Sequence, residues 1–360
     1  AAIGQKLGGA IEELVNAIYT VDGERFQVNT ITCPGPGDAV RVAAALRKVH
    51  GGAHFRVLQD NHQVLEFVSQ DPRLVERGYR DLGLTASTVR YRVKFQVAPL
   101  KKIQYMSWNP LFNALIRNRE DRIRELSGDV EFGKAFSLRL VGQGGVDSVV
   151  QLAPKASRQV AVLGGDGIRY EFDEPGDRNG IPVVDVEMEV TSQGFAITPA
   201  SEEASEMTTA TRTWPSESKA VVELAEEIYL DVEGSDARVQ ALLNWFRPGA
   251  NMRYAGTPAG SRYGVEQVLK QRYGHCWDFA DLFITLARAG GVPCRQVYGW
   301  LHGSSGHVWV EVLTDAGWRA VDPTAGMGCD SRYIPLFHSD DGMIDLVYTS
   351  YPRITILSGP

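Results

Sequence analysis

Residues 273–280 read Tyr-Gly-His-Cys-Trp-Asp-Phe-Ala, and this stretch decides the fold of the C-terminal part of the chain. Apolar side chains recur from it at helical spacing, which predicts a helix beginning near Cys276. The residues on its apolar face are Cys276, Phe279, Ala280, Phe283 and Ala287. Gly290 and Gly291 supply a left-handed C-cap, and Pro293 prevents continuation of the helix. Cys276 therefore lies in the first turn, where unpaired backbone N–H groups favour a thiolate and can bind an oxyanion.

Two later segments predict a pair of antiparallel strands. Residues 307–312 read His-Val-Trp-Val-Glu-Val, and this alternation puts His307 and Trp309 on one face of a strand. Residues 314–317, Thr-Asp-Ala-Gly, are typical of a turn. A second strand follows at 318–322, and Pro323 ends it. The pattern indicates a β-hairpin.

The register of this hairpin decides whether an aspartate meets the histidine. If the loop holds two or four residues, Leu313 pairs with Trp318. Asp322 then falls opposite Trp309, on the face that His307 shares, and a diagonal step joins it to His307. A loop with an odd number of residues would turn Asp322 to the other face unless a bulge corrected it.

These segments supply the residue types of a thiol-dependent catalytic site. Cys276 is the candidate nucleophile, His307 its base and Asp322 the group that orients the base. A lone cysteine is usually a small buried hydrophobe, but its position at a helix start ahead of His and Asp on paired strands favours catalysis. His302 is a rival base. It sits in the Gly/Ser-rich turn at 302–306, which is typical of a solvated loop residue.

The segment from about 216 to 333 resembles the transglutaminase-like core, a branch of the papain-like cysteine enzymes. Tyr-Gly-His-Cys-Trp is close to the Tyr-Gly-Gln-Cys-Trp of animal transglutaminases, while Asp-Phe-Ala at 278–280 is more like the bacterial members. Residues 307–311 and 317–324 match the family's two other sequence blocks. The resemblance implies an α+β fold, in which the helix carrying the cysteine packs on an antiparallel sheet carrying the histidine and aspartate.

One departure from the animal enzymes concerns the oxyanion. Those enzymes use a tryptophan upstream of the cysteine, but no tryptophan lies between Trp245 and Trp277 here. Tyr254 is the candidate substitute, since a phenol can donate the same hydrogen bond; the alternative is that it only packs. Gly274, Trp277 and Trp309 are further candidate support residues, and the two tryptophans either shape a substrate groove or belong to the core.

The resemblance implies acyl transfer through a thioester on peptide or glutamine amides. Water would resolve the thioester in a protease or amidase, and an amine would resolve it in a cross-linking transglutaminase. Hydrolysis is favoured, because the sequence offers no obvious acceptor channel and no Asp-x-Asp-x-Asp-Gly calcium loop. No metal or cofactor is implied. The alternative function is a catalytically silent scaffold or binding module, against which the intact Cys-His-Asp set argues.

Composition limits the classes of partner. The chain has 360 residues with a net charge of −7, is 44% hydrophobic and 22% charged, and has no basic stripe suited to a phosphate backbone. No apolar run has the length of a membrane span. A protein or peptide substrate is therefore the expected partner, without nucleic acid and without a membrane span. The oligomeric state is left open.

The four cysteines form no disulfide framework. Cys294 and Cys329 are predicted to lie at opposite ends of the strand ladder, too far apart to be bridged, so all four cysteines are expected to be free thiols. Free thiols favour a reducing, cytoplasmic location. The chain begins with Ala rather than Met, so an exported protein whose leader was removed is the alternative.

The chain is long enough for two or three domains. A small α/β unit is predicted at 1–88, with a helix at 39–48 and strands at 54–58 and 63–68. A β-rich domain with one helix, at 111–126, is predicted at 89–212. The transglutaminase-like catalytic domain then occupies 213–360.

Overall fold

The structure is a computed structural model. It describes residues 8–21, 24–34, 36–49, 54–60, 63–75, 88–103, 114, 125, 130–139, 150–161, 167–193, 207–256, 261–302, 306–315 and 317–358. The helix predicted at 111–126 falls almost entirely outside these ranges, although Ala114 and Glu125 are helical. No helix within the described ranges has the length and apolar character needed to cross a membrane.

The N-terminal unit is a four-stranded antiparallel sheet with a helix on one face. Its elements are β1 (Glu13–Val21), β2 (Glu24–Thr32), α1 (Pro36–Val49), β3 (Phe55–Asp60) and β4 (Gln63–Ser69). The strand order is β1-β2-β4-β3. Buried Val42 and Ala43 of α1 pack against Ile31 and Val57 of the sheet. The helix predicted at 39–48 and the two strands after it correspond to α1, β3 and β4.

The middle of the chain is β-rich, as predicted. Its strands are β5 (Thr88–Ile103), β6 (Ala135–Arg139), β7 (Val150–Ala153), β8 (Arg158–Ala161), β9 (Gly167–Glu171), β10 (Gly176–Arg178) and β11 (Ile181–Gln193). Alternation along β5 buries Val93 and Phe95 and turns Arg92 outward, where it pairs with Glu189 of β11. A second sheet has the order β6-β9-β8.

The C-terminal part combines helices with a five-stranded antiparallel sheet. Its helices are α2 (Lys219–Ile228), α3 (Ser235–Trp245), α4 (Val265–Gln271) and α5 (Cys276–Ala289). Its strands are β12 (Arg253–Tyr254), β13 (Tyr273–Gly274), β14 (Cys294–Leu301), β15 (Gly306–Thr314), β16 (Gly317–Asp322), β17 (Met327–Gly328), β18 (Tyr333–Ser339), β19 (Ile344–Tyr348) and β20 (Arg353–Ser358). The sheet order is β17-β16-β15-β14-β18. The α+β class, with the cysteine helix packed on the sheet that carries His and Asp, is confirmed.

Helix α5 is more deeply buried than an amphipathic pattern predicts. Every residue from Asp278 to Arg288 is buried, because α2, α3 and α4 cover the side away from the sheet. The polar Asp281 is accommodated by a buried ion pair with Arg262, which also stacks on Trp277 with 4.8 Å between its guanidinium carbon and the ring centroid. This packing fixes the helix that begins at Cys276.

The last two strands of the chain lie outside the five-stranded sheet and belong to the sheet of the middle region. Both β19 and β20 pair with β5, in the sheet that also contains β11, β10 and β7. Ile344 and Val347 of β19 are buried beside Ala98 and Leu100 of β5. The regions 89–212 and 213–360 therefore share a sheet, while the division into three domains stays a prediction.

Candidate active site

The hairpin has the register that brings an aspartate to the histidine. Leu313 pairs with Trp318 and Thr314 with Gly317, so an even number of residues separates the strands. The predicted register is confirmed. Continuing it past the Val310 and Val321 pair sets Asp322 opposite Trp309, on the side of His307.

His307 connects the aspartate to the cysteine. Its Nε2 lies 2.8 Å from Oδ2 of Asp322, and the Cys276 sulfur is near enough to raise the pKa of the imidazole. Because Nε2 faces the carboxylate, Nδ1 is the ring nitrogen left for the sulfur. Cys276 is partly exposed at the start of α5, whereas Asp322 is 1% exposed. The three residues proposed from the sequence are thus brought together.

The electrostatics of this cluster favour a charged imidazole. Burial by itself lowers the pKa of His307, but the Asp322 carboxylate and the Cys276 sulfur outweigh it and raise that pKa to about 10. Burial likewise acts to raise the pKa of Asp322, and the charge and hydrogen bond of His307 lower it overall. At neutral pH an imidazolium therefore lies between a carboxylate and the sulfur.

Two further donors hold the Asp322 carboxylate. The hydroxyl of Tyr333 donates to Oδ2 at 2.8 Å, and the backbone N–H of Thr324 donates to Oδ1 at 2.8 Å. Tyr333 is a residue that sequence reasoning missed. It begins β18, which lies at the opposite edge of the sheet from β16 and β17, so no local spacing could have linked it to Asp322.

A compact hydrogen-bond cluster forms the start of α5. The Asp278 carboxylate accepts from the backbone N–H of His275 at 2.9 Å, from Oγ of Ser261 at 2.7 Å and from the backbone N–H of Tyr263 at 2.6 Å. This fold-back requires Gly274, where a Cβ atom would lie 2.4 Å from Cβ of Asp278. Gly274 thus supports the site by allowing the chain to turn tightly into the helix.

Tyr254 lies next to the cysteine loop. It pairs with Gly274 in the short parallel ladder between β12 and β13. Its ring stands edge-on to His275, with 5.1 Å between ring centroids, and is 45% exposed. This position is compatible with a donor at the mouth of the site, and its role at the oxyanion stays a prediction.

The two tryptophans differ in environment. Trp309 is 1% exposed and packs behind His307, with 6.3 Å between their rings, so the core interpretation applies to it. Trp277 is partly buried between Arg262 and Tyr298. The rival histidine, His302, lies against the ring of Tyr91 at 5.3 Å.

All four cysteines are free, as predicted. Cys33, Cys294 and Cys329 are buried, and burial raises the pKa of each thiol, that of Cys294 to about 11. Cys276 is the partly exposed one. In the parts of the chain that the structure describes, no group of three or more His, Cys, Asp or Glu side chains could hold a metal ion.

A helix that begins at a cysteine, beside a hairpin with a joined His and Asp, defines a papain-like class of architecture. Residues 222–323 match the family model described as the transglutaminase-like superfamily. This segment is a transglutaminase-like core domain, and the resemblance seen in the sequence is confirmed.

Curated relatives match about a quarter of the chain. An uncharacterized protein of Mycobacterium leprae (strain TN) is 32% identical in an alignment of 108 positions, which covers 27% of this chain and 37% of that protein. The protein-glutamine gamma-glutamyltransferase of Pseudomonas aeruginosa is 31% identical over 116 residues, covering 28% of this chain and 17% of the relative. The chain therefore spans well under half the length of either relative.

Solved structures are similar at low identity. A Cytophaga hutchinsonii structure is 14% identical with a TM-score of 0.46, over 76% of this chain and 91% of that one. The periplasmic domain of TgpA from P. aeruginosa is 15% identical with a TM-score of 0.35, over 68% and 90% of the two chains.

Proposed function

We propose that this chain is a cysteine-dependent acyl-transfer enzyme that acts on peptide or glutamine side-chain amides through a thioester. The observation that supports the proposal is the position of His307, whose ring is hydrogen-bonded to Asp322 and lies near the Cys276 sulfur, so that both groups raise its pKa. A histidine charged in this way activates the sulfur and holds the proton that the leaving group needs.

In the acylation step the Cys276 thiolate attacks the amide carbon. A C–S bond forms, and the carbonyl electron pair moves to the oxygen. The backbone N–H groups at the start of α5, with Tyr254 as a further donor, stabilise this oxyanion. When the intermediate collapses, the C–N bond breaks and Nδ1–H of His307 donates its proton to the departing amine.

In the second step neutral His307 acts as the base. Asp322 keeps the proton on Nε2, so the lone pair of Nδ1 faces the acceptor. Water gives a carboxylic acid and free enzyme, and a primary amine gives a new amide. We favour water as the acceptor. The P. aeruginosa relative carries a transferase name, so transfer to an amine is kept as the competing outcome of the same chemistry.

The proposal is tested with glutamine-containing peptides, incubated with and without a primary amine and followed by mass spectrometry. Hydrolysis of a side-chain amide adds about 1 Da, and cleavage of the peptide bond gives two fragments. Transfer adds the mass of the amine less about 17 Da, because ammonia leaves the side-chain amide. The expected result is loss of all products in Cys276→Ala and His307→Ala. His302→Ala, which removes a histidine that packs on Tyr91, is the matched control and keeps them.

Two results would decide against the proposal. Products that persist in Cys276→Ala would place the chemistry elsewhere. No product from any peptide, together with slow alkylation of Cys276 that does not depend on His307, would favour a silent scaffold or binding module.

A further inference from the structure

We propose that Tyr333 is a positioning residue of this site, whose hydroxyl shares one oxygen of Asp322 with His307 and so limits how tightly the carboxylate holds the imidazole proton. The inference rests on the proposed function, because it assigns a role within the same site. It also implies that the β-rich middle region supports the site, because strands of that region contact the backbone around Tyr333.

The shared oxygen is the central observation. Oδ2 of Asp322 receives the Tyr333 hydroxyl at 2.8 Å and faces Nε2 of His307 at 2.8 Å. The other oxygen, Oδ1, is held by the N–H of Thr324. The carboxylate therefore cannot turn to give each neighbour its own oxygen, and the two donors share the negative charge of Oδ2.

Tyr333 is well placed for this role because it is buried and held on several sides. It is 4% exposed, and its ring lies 5.4 Å from Trp309 and 5.9 Å from His307. Its backbone N–H donates to the carbonyl of Asp330 at 3.1 Å. A hydroxyl fixed in this way can act on Asp322 without reorganisation.

The middle region contacts the same backbone. Ser192 of β11 donates from its hydroxyl to the carbonyl oxygen of Tyr333 at 2.8 Å, and Tyr91 of β5 donates to the carbonyl of Ser331 at 2.9 Å. All of these groups are buried. The sheet that β5 and β11 form therefore supports the start of β18 from behind, and through Tyr333 it supports Asp322.

The titratable groups around the pair come from several elements. His307 is faced by Cys276 of α5 and by Asp322 of β16. Asp322 in turn is faced by Tyr333 of β18 and by the buried Cys329. A buried ion pair beside Tyr333 joins Asp330 to Arg332. Of these, Tyr333 is the neutral donor that competes with His307 for one oxygen. Removing its hydroxyl leaves more negative charge to the imidazolium, so His307 should keep its proton to higher pH.

The test is an NMR titration of His307 in the full chain labelled with ¹³C-histidine, with the signal assigned from His307→Ala. In Tyr333→Phe the midpoint is expected to move up by roughly half a unit to one unit relative to wild type. Tyr229→Phe is the matched control, since it removes a hydroxyl that donates to the carbonyl of Leu286 at 3.1 Å, far along α5. It should leave the midpoint unchanged.

Ser192→Ala is a second variant that leaves every group of the site in place. It is expected to move the midpoint in the same direction by a smaller amount, and it carries the test if Tyr333→Phe does not fold. A midpoint that is unchanged or lower in both variants would overturn the inference. This result is independent of the proposed function, because the titration needs no substrate, whereas failure of the function would appear as unprocessed peptides in wild type.

Discussion

At the scale of single residues, the site is organised around the Asp322 carboxylate. It is 1% exposed, and its donors are His307, Tyr333 and the backbone of Thr324. A buried carboxylate is tolerated only when it is well hydrogen-bonded or paired, and here the pairing also charges His307. Asp322 thus stabilises the positive charge on His307, and His307 lies between Asp322 and the Cys276 sulfur.

The pairing predicts a pH-dependent contribution to stability. The pKa of His307 is raised in the folded state to about 10, so its stabilisation is fully present below its unfolded pKa and is lost as the pH rises through 10. The pKa of Asp322 is lowered, so its contribution is present above its unfolded pKa and is lost as the pH falls.

The free-energy difference between wild type and Asp322→Asn should therefore shrink from near-neutral pH to pH 10, by up to about 4 kcal/mol. Urea unfolding at a series of pH values measures it, and a difference that stays constant would contradict the pairing.

At the scale of elements, the site needs a sharply defined helix start and a hairpin in one register. The Asp278 carboxylate ties together the backbone of His275, the side chain of Ser261 and the backbone of Tyr263. The first turn of α5 is thereby fixed relative to β12, β13 and the loop before α4. The positions of the Cys276 sulfur and of the backbone N–H groups in this turn therefore depend on the Asp278 cluster.

Gly274→Ala tests the cluster. The added Cβ would overlap the Asp278 side chain at 2.4 to 2.7 Å, so Asp278 must leave the backbone of His275. We expect a loss of about 2–3 kcal/mol in the free energy of unfolding, together with slower alkylation of Cys276. Chemical denaturation and iodoacetamide kinetics provide the two readouts. Unchanged stability would mean that the tight turn is not required.

A double-mutant cycle tests the buried ion pair behind α5. Arg262 and Asp281 are 5% and 2% exposed, and Asp281 also accepts from Trp214 and Gln296. Removing Arg262 alone, as in Arg262→Met, should cost about 3–5 kcal/mol because it leaves a buried carboxylate without its cation. The double variant Arg262→Met, Asp281→Leu should cost less than the sum of the single changes. Additive losses in urea unfolding would show that the pair is not coupled.

Much of the site could be predicted because its elements obey local rules. The turn chemistry and alternation around 307–322 predicted the hairpin, and they set Asp322 beside His307 on the condition of an even loop, which the structure has. The residues that end α5 follow from Gly and Pro preferences. Tyr333 could not be predicted, because it reaches Asp322 from the far edge of the sheet. The full burial of α5 was also missed, since Asp281 is compensated by a partner outside the helix.

At the scale of the whole molecule, the middle region and the core are joined by shared strands. The backbone N–H of Gln96 in β5 donates a hydrogen bond to the hydroxyl of Ser350, which lies 254 residues further along the chain. Both β19 and β20 also pair with β5. Strand pairings between residues so far apart leave no local signal in a sequence. The domain boundary predicted between residues 212 and 213 was therefore placed without knowledge of these pairings. The same pairings bring β5 and β11 beneath Tyr333.

This arrangement predicts that residues 213–360 alone are unstable. Without β5, the buried side chains of Ile344, Leu346 and Val347 would be exposed to water. We expect the isolated segment to bind a hydrophobic dye and to unfold without cooperativity, whereas a chain of residues 88–360 unfolds in one transition. Tryptophan fluorescence in urea compares the two. Cooperative unfolding of 213–360 with unaltered stability would contradict the structural role of the shared sheet.

The alkylation rate of Cys276 by iodoacetamide at about pH 6.5 tests the central claim most directly. The other three cysteines are buried, so selectivity alone is uninformative and the dependence on His307 is decisive. We predict fast modification of Cys276 in wild type and in His302→Ala, with a loss of about 100-fold or more in His307→Ala. An equal rate in wild type and His307→Ala would show that the imidazole does not activate the sulfur, and the account would be wrong.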